Sequence, residues 1–94
     1  MIVDFKDDET RSVFTTGRSK RFGNIARVAA RRLGQIDFAT SLDDLREPPG
    51  NRLEALKGDR KGQHSIRIND LFRVCFVWTG DDASGVEITD YHRG

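Results

Sequence analysis

Four cations, Lys57, Arg60, Arg67 and Arg73, stand at spacings that let short strands and their turns present them together. They interleave with apolar residues between Asn51 and Trp78, and the chain later reaches Asp90-Tyr91-His92. Fixed cations beside an imidazole suit an anionic ligand, and RNA is one on which they can also do chemistry. Its 2′-OH attacks the adjacent phosphate if a base takes the proton, an acid protonates the departing 5′ oxygen, and cations stabilise the charge added at phosphorus. His92 can serve as base or acid, because an unperturbed imidazole titrates near neutrality. Lys57 and Arg73 can hold the phosphate, arginine as a planar fork and lysine as a point charge or proton donor. Tyr91 can stack on a base or assist proton transfer. Plainer readings stand beside these: an Asp-Tyr-His tail can simply fray, and a strand arginine can simply be salt-bridged. Arg60 and Arg67 fit RNA binding and support of the fold equally well.

Other chemistries find little material. His64 and His92 are the only histidines and Cys75 the only cysteine, with no zinc-ligand spacing. Neither a phosphate-cradling glycine motif nor a nucleophile elbow is present. No metal and no other cofactor is therefore expected. Cys75 lies in an apolar run, which predicts a buried thiol rather than a reactive one. Ninety-four residues suit one domain, 1–94, with a limited core. No apolar run approaches a membrane span and no signal-peptide pattern opens the chain, so a cytoplasmic protein without a membrane partner is expected.

The net charge of +1 conceals segregation. Between Arg11 and Ile36 there are seven cations (Arg11, Arg18, Lys20, Arg21, Arg27, Arg31, Arg32) and no acid. The acids gather at Asp4 to Glu9, Asp37 to Glu47 and Asp81-Asp82. Basic surface facing a polyanion is favoured over arginines that merely solvate helix faces.

The elements that must position these residues follow from periodicity. Leu53 to Leu56, His64 to Ile68 and Phe72 to Trp78 read as strands of a meander, joined by turns at Lys57–Gly62 and Asn69-Asp70. One face should be core; His64, sharing parity with Ile66 and Ile68, belongs at its edge. Thr79 to Gly85 reads as an acidic hairpin loop before a last strand through Val86 and Ile88. Ahead of the meander, Ile2 to Phe5 has a short strand's alternation. Asp7 or Asp8 can cap a first helix that Gly17 ends. Arg18 to Gly23 reads as a basic connector. Asn24 can cap a second helix carrying Ile25, Val28, Ala29, Leu33 and Ile36 on one face. Ser41 can start one further turn, and Pro48-Pro49-Gly50 closes the helical half. Helices followed by hairpin strands predict an α+β fold with a largely antiparallel sheet.

The string Asn51-Arg52-Leu53, Leu56-Lys57-Gly58-Asp59-Arg60, Gly62 and Ser65-Ile66-Arg67-Ile68-Asn69, followed by Arg73 and Asp90-Tyr91-His92, resembles the HigB-type toxins of bacterial toxin–antitoxin modules, within the RelE/ParE superfamily. The resemblance spans nearly the whole chain. It implies two N-terminal helices packed on one face of a curved sheet of about four to five strands, with the site on the concave face. It implies metal-free cleavage of mRNA on the translating ribosome, using positions that match Lys57, Arg73, Asp90, Tyr91 and His92. Glu54 stands where some members carry a histidine, and a carboxylate there can still accept a proton. Leu71-Phe72 replaces the usual Asn- or Gln-Trp pair; Phe72 can fill the core, but Leu71 cannot hydrogen-bond a base edge. These departures bear on rate and codon preference. Ribosomal RNA would be held by Arg18, Lys20 and Arg21 together with Arg60 and Arg67. The implied partner is a helix-turn-helix antitoxin of the HigA type, through whose complex alone operator DNA would be bound. Two rivals share the fold: a ParE-like gyrase inhibitor, and a degenerate toxin that only binds its antitoxin or regulates its operator.

Overall fold

The computed structural model describes residues 1–90. Helix α1 (Asp8–Thr16) begins as expected: extended Asp7 accepts the Thr10 N–H on its carboxylate at 2.7 Å, and Asp8 and Glu9 fill the first turn. Gly17, at φ +72°, ends it in the left-handed conformation and donates to the Val13 carbonyl at 2.8 Å.

Helix α2 (Ala26–Phe38) begins differently from the sequence expectation. Asn24 does not cap it; Gly23–Ile25 forms a 3₁₀ turn that runs directly into the helix, and no side chain caps the junction. Ser19 organises the entry instead, accepting the Phe22 N–H at 3.1 Å and donating to Glu9 at 2.6 Å. Ala26, Ala29, Leu33 and Ile36 form the buried stripe, while Ile25 and Val28 flank it as partly buried neighbours. A 3₁₀ turn, Leu42–Arg46, follows with a capping box between Ser41 and Asp44, and Pro49–Asn51 adds one more.

The sheet is antiparallel in the order β1 (Glu54–Ala55), β2 (His64–Arg67), β3 (Arg73–Thr79), β4 (Asp82–Thr89). Its first strand is shorter than the Leu53–Leu56 run suggests, because Arg52 turns the chain at φ +47° and a 3₁₀ turn, Gly58–Arg60, follows almost at once. The expected seven-residue loop at Thr79–Gly85 is also corrected. Pairing continues to Thr79–Asp82, leaving only Gly80-Asp81 as a two-residue turn, with Gly80 at φ +65°.

The segment Ile2 to Phe5 does not make a regular strand. It forms two isolated parallel bridges with β4, Ile2 to Ala83 and Phe5 to Val86. Opposite it, β4 carries a bulge: Cys75 pairs with Glu87 and Val77 with Ser84, so Gly85 and Val86 face the single residue Phe76. Gly85 takes φ +56° there and donates its N–H to the Asp4 carboxylate. The bulge lets Ala83, Val86 and Ile88 all point into the core while Glu87 points away.

Both helices cover one face of the sheet. Val13, Leu33 and Ile36 meet Ile66, Val74, Phe76 and Val86 at the centre of the core, and these side chains are fully buried. Thr10, also fully buried, ties α1 to β4 by accepting the Ile88 N–H at 3.1 Å. No helix among the described residues is long and apolar enough to cross a membrane.

Candidate functional site

Strand register orders the face away from the helices. Glu54 pairs with Ser65, Ser65 with Cys75 and Cys75 with Glu87, so one row crosses all four strands. The next row holds Arg67, Arg73 and Thr89. Directly opposed side chains on one face lie about 5 Å apart at Cβ, close enough for each to set its neighbour's charge environment.

Arg67 opposite Arg73 would be a repulsive pair if both side chains stood upright. Each turns to another partner. Arg67 meets Asp70 at 2.5 Å. Arg73, 13% exposed, donates from Nε to Ser65 Oγ at 2.8 Å and from Nη2 to the Arg52 carbonyl at 2.7 Å, with the Glu54 carboxylate 3.6 Å away. It is therefore braced into the face as well as charged. Behind Arg67, Arg32 on α2 donates Nε to the Arg67 carbonyl at 2.9 Å. Burial, then repulsion from Arg31 and Arg67, lowers the Arg32 guanidinium below its usual value.

Arg60 approaches from its 3₁₀ turn. Its Nη1 donates to Gln63 Oε1 at 3.1 Å and to Glu87 Oε1 at 2.7 Å. Lys6, from the N-terminal segment, reaches the same Glu87 oxygen at 3.5 Å. Lys57 heads the turn, exposed to solvent, and its carbonyl accepts the Arg60 N–H at 3.2 Å. Cys75 sits among these groups, fully buried, and burial pushes its thiol up to about 11. Arg60, Arg73 and Lys6 act against that rise and Glu87 adds to it, so the thiol senses charges from all sides of the row.

The sequence expectation of a cationic face is thus corrected in one respect: carboxylates alternate with the cations. Glu54 is brought to Arg73, Glu87 to Arg60 and Lys6, and Asp70 to Arg67. Glu87, Ser65 and Lys6 were not anticipated as site residues. The parity of Glu87, opposite to Val86 and Ile88, was a legible signal for it; the reach of Lys6 had none. His64 lies where its parity places it, half-buried with its ring stacked 6.4 Å from Phe76.

The basic connector reaches the same end of the sheet. Arg18, Lys20 and Arg21 are exposed, the Arg21 guanidinium lies 5.2 Å from the Phe22 ring centroid, and that ring packs edge-on to Phe72 at 5.7 Å. Phe72 immediately precedes Arg73 and packs against the core, whereas Leu71 is exposed. Asp90 is exposed at the end of β4; Tyr91 and His92 lie outside the described residues. A cleft of about 320 Å³ lined by Gln35, Phe38, Thr40 and Asp44 involves none of these groups.

Comparison with known proteins adds an independent line. Residues 3–92 match the family described as "RelE-like toxin of type II toxin-antitoxin system HigB". The chain is 36% identical over 93 residues to Toxin HigB-1 of Vibrio cholerae, covering 97% of this chain and 94% of that protein. It is 38% identical over 61 residues to Endoribonuclease HigB of Proteus vulgaris, covering 65% of each. In fold it resembles a chain of the YoeB-YefM toxin-antitoxin complex of Staphylococcus aureus, at TM-score 0.57 and 15% identity, over 99% of this chain and 97% of that one. The chain belongs to the HigB-like family of RelE-type toxins of type II toxin–antitoxin systems.

Proposed function

We propose that this toxin is a metal-free endoribonuclease that cuts mRNA on the translating ribosome. The observation that carries the reading is the Glu54–Arg73 pair on the sheet face away from the helices, which Arg60 also reaches through Glu87, with Lys57 at the head of the adjoining turn. The Proteus vulgaris relative named an endoribonuclease supports the same reaction class.

In this reading a base, Glu54 or His92, takes the proton from the 2′-OH. The oxygen bonds to phosphorus, the bond from phosphorus to the 5′ oxygen breaks, and an acid protonates that oxygen. The products are a 2′,3′-cyclic phosphate and a free 5′-OH. Arg73 balances the Glu54 carboxylate beside the phosphate, and Lys57 adds a mobile cation for the charge built up in the transition state. The family resemblance adds Asp90, Tyr91 and His92 to the reaction, with Tyr91 stacking on a base or assisting proton transfer. Few acid–base groups suffice if the ribosome holds the mRNA near attack geometry. Arg18, Lys20 and Arg21, with Arg67, provide contacts to ribosomal RNA. The partner that restrains the toxin is a helix-turn-helix antitoxin of the HigA type, whose complex binds operator DNA. The site of action is the cytoplasm, where the ribosomes are.

Primer extension on a reporter mRNA, with purified toxin and either translating ribosomes or naked RNA, tests this. Cuts that follow the reading frame only with ribosomes are expected. Ribosome binding without cuts would favour a degenerate toxin, and neither binding nor cuts would favour a gyrase inhibitor on this fold.

A further inference from the structure

Glu87 takes no part in the chemistry just described, yet it is the carboxylate on which two chain segments converge. Its side chain is 14% exposed and lies in the row Glu54, Ser65, Cys75, Glu87. A carboxylate so far removed from water is costly unless cations face it. Arg60 supplies one at 2.7 Å and Lys6 a second at 3.5 Å, both on Oε1. The neighbouring Cys75 thiol, held neutral by burial, adds no competing anion. Arg60 sits on a three-residue 3₁₀ turn beside glycines, Gly58 at φ +64° and Gly62 at φ +95°. The contact with Glu87 on β4 at 2.7 Å, helped by Gln63 at 3.1 Å, is among those that order its long side chain.

We propose that Glu87 is a positioning residue: its carboxylate pins Arg60 onto the sheet so that the guanidinium meets the RNA backbone already ordered. This rests on the ribonuclease reading and adds a residue to it. Arg60 and Lys6 share the one Glu87 oxygen, so Glu87 by itself does not neutralise both cations. Arginine's planar fork then contributes to phosphate binding without first losing its rotamer freedom.

A double-mutant cycle tests the assignment. The variants are Glu87→Ala, Arg60→Ala and both together, with Glu87→Gln as a variant that preserves volume and one acceptor oxygen. The first readout is the Kd for ribosomes programmed with mRNA carrying a 2′-deoxy nucleotide at the cut site; the second is kcat on the normal message. Glu87→Ala should raise Kd by up to about tenfold, the cost of ordering one long side chain on binding, with kcat changed less than about twofold. The double variant should bind no worse than Arg60→Ala alone, because Glu87 acts only through Arg60. Glu87→Gln should fall between Glu87→Ala and the parent, and it replaces Glu87→Ala in the cycle if the alanine variant does not fold. Additive losses, or an unchanged Kd in Glu87→Ala, would overturn the proposal. If the parent binds without cleaving, the nuclease reading falls while the Kd cycle still decides Glu87. If the parent does not bind programmed ribosomes, both fall.

Discussion

Arg73→Ala should cost this protein stability and activity by separable amounts. The side chain makes two hydrogen bonds from a charged donor, to Ser65 Oγ at 2.8 Å and to the Arg52 carbonyl at 2.7 Å. At about 1.5 kcal/mol each, the low end for charge-assisted bonds because the second is exposed, they total about 3 kcal/mol. The Glu54 pair at 3.6 Å, still partly solvated, adds well under about 1 kcal/mol. Relief of the Arg67–Arg73 opposition returns a few tenths of a kcal/mol. A net loss of about 3 kcal/mol lowers Tm by roughly 12–24 °C in a domain of this size, and most domains have enough stability to remain folded at 25 °C after it. Urea unfolding followed by circular dichroism measures the loss directly. Cleavage by the folded variant should fall about 10²- to 10³-fold, as for removal of one preorganised transition-state donor, while ribosome binding weakens far less. Arg73→Lys should recover charge but not the two-way brace, regaining less than half the stability. A variant within about 0.5 kcal/mol of the parent would refute the brace, since that is the scatter of an ordinary surface substitution. Intact cleavage in the folded variant would refute the phosphate role, and binding lost more than cleavage would make Arg73 an RNA-docking residue.

Three other outcomes follow from the same geometry. The Cys75 thiol titrates higher in the folded protein than in the unfolded chain, so its contribution is fully present below about pH 9 and is lost as pH rises through about 11. Up to about 2–3 kcal/mol should disappear across that window in the parent and not in Cys75→Ala, and equal alkaline slopes would assign the loss to other groups. Thr10→Val leaves the buried Ile88 N–H without its acceptor and should cost about 1–3 kcal/mol in urea unfolding; an unchanged midpoint would mean that the N–H finds another partner. Replacing Lys20 and Arg21 together by alanine should weaken ribosome association and lower its salt dependence by up to about two charges in slope. An unchanged slope would leave both as solvated surface.

Much of the architecture was legible because local signals and burial agreed. Asp7 and Gly17 bracket α1 by capping chemistry that operates within a single turn. The stripe Ala29, Leu33, Ile36 names the buried face of α2 by period alone. Alternation in β2 and β3 separates Ile66, Val74 and Phe76 from Ser65, Arg67 and Arg73. The misreadings arose where a distant contact outweighed a local preference. Asn24 is a good cap in isolation, but Ser19, hydrogen-bonded to Glu9, had already organised the turn into α2. Asp82 to Gly85 look like loop residues, yet β3 and the N-terminal segment both pair with them.

By itself the sequence determined the two helices, the antiparallel meander and which face would carry the arginines, because caps and periodicities act over a few residues. Only the tertiary structure decided how those arginines are used. Register across four strands and the bulge at Gly85-Val86 place Glu54, Cys75 and Glu87 in one row, and the N-terminal segment brings Lys6 to that row from across the chain. Electrostatics depends on distances in space, so a side chain's charge can be read from its residue type, but its partners cannot.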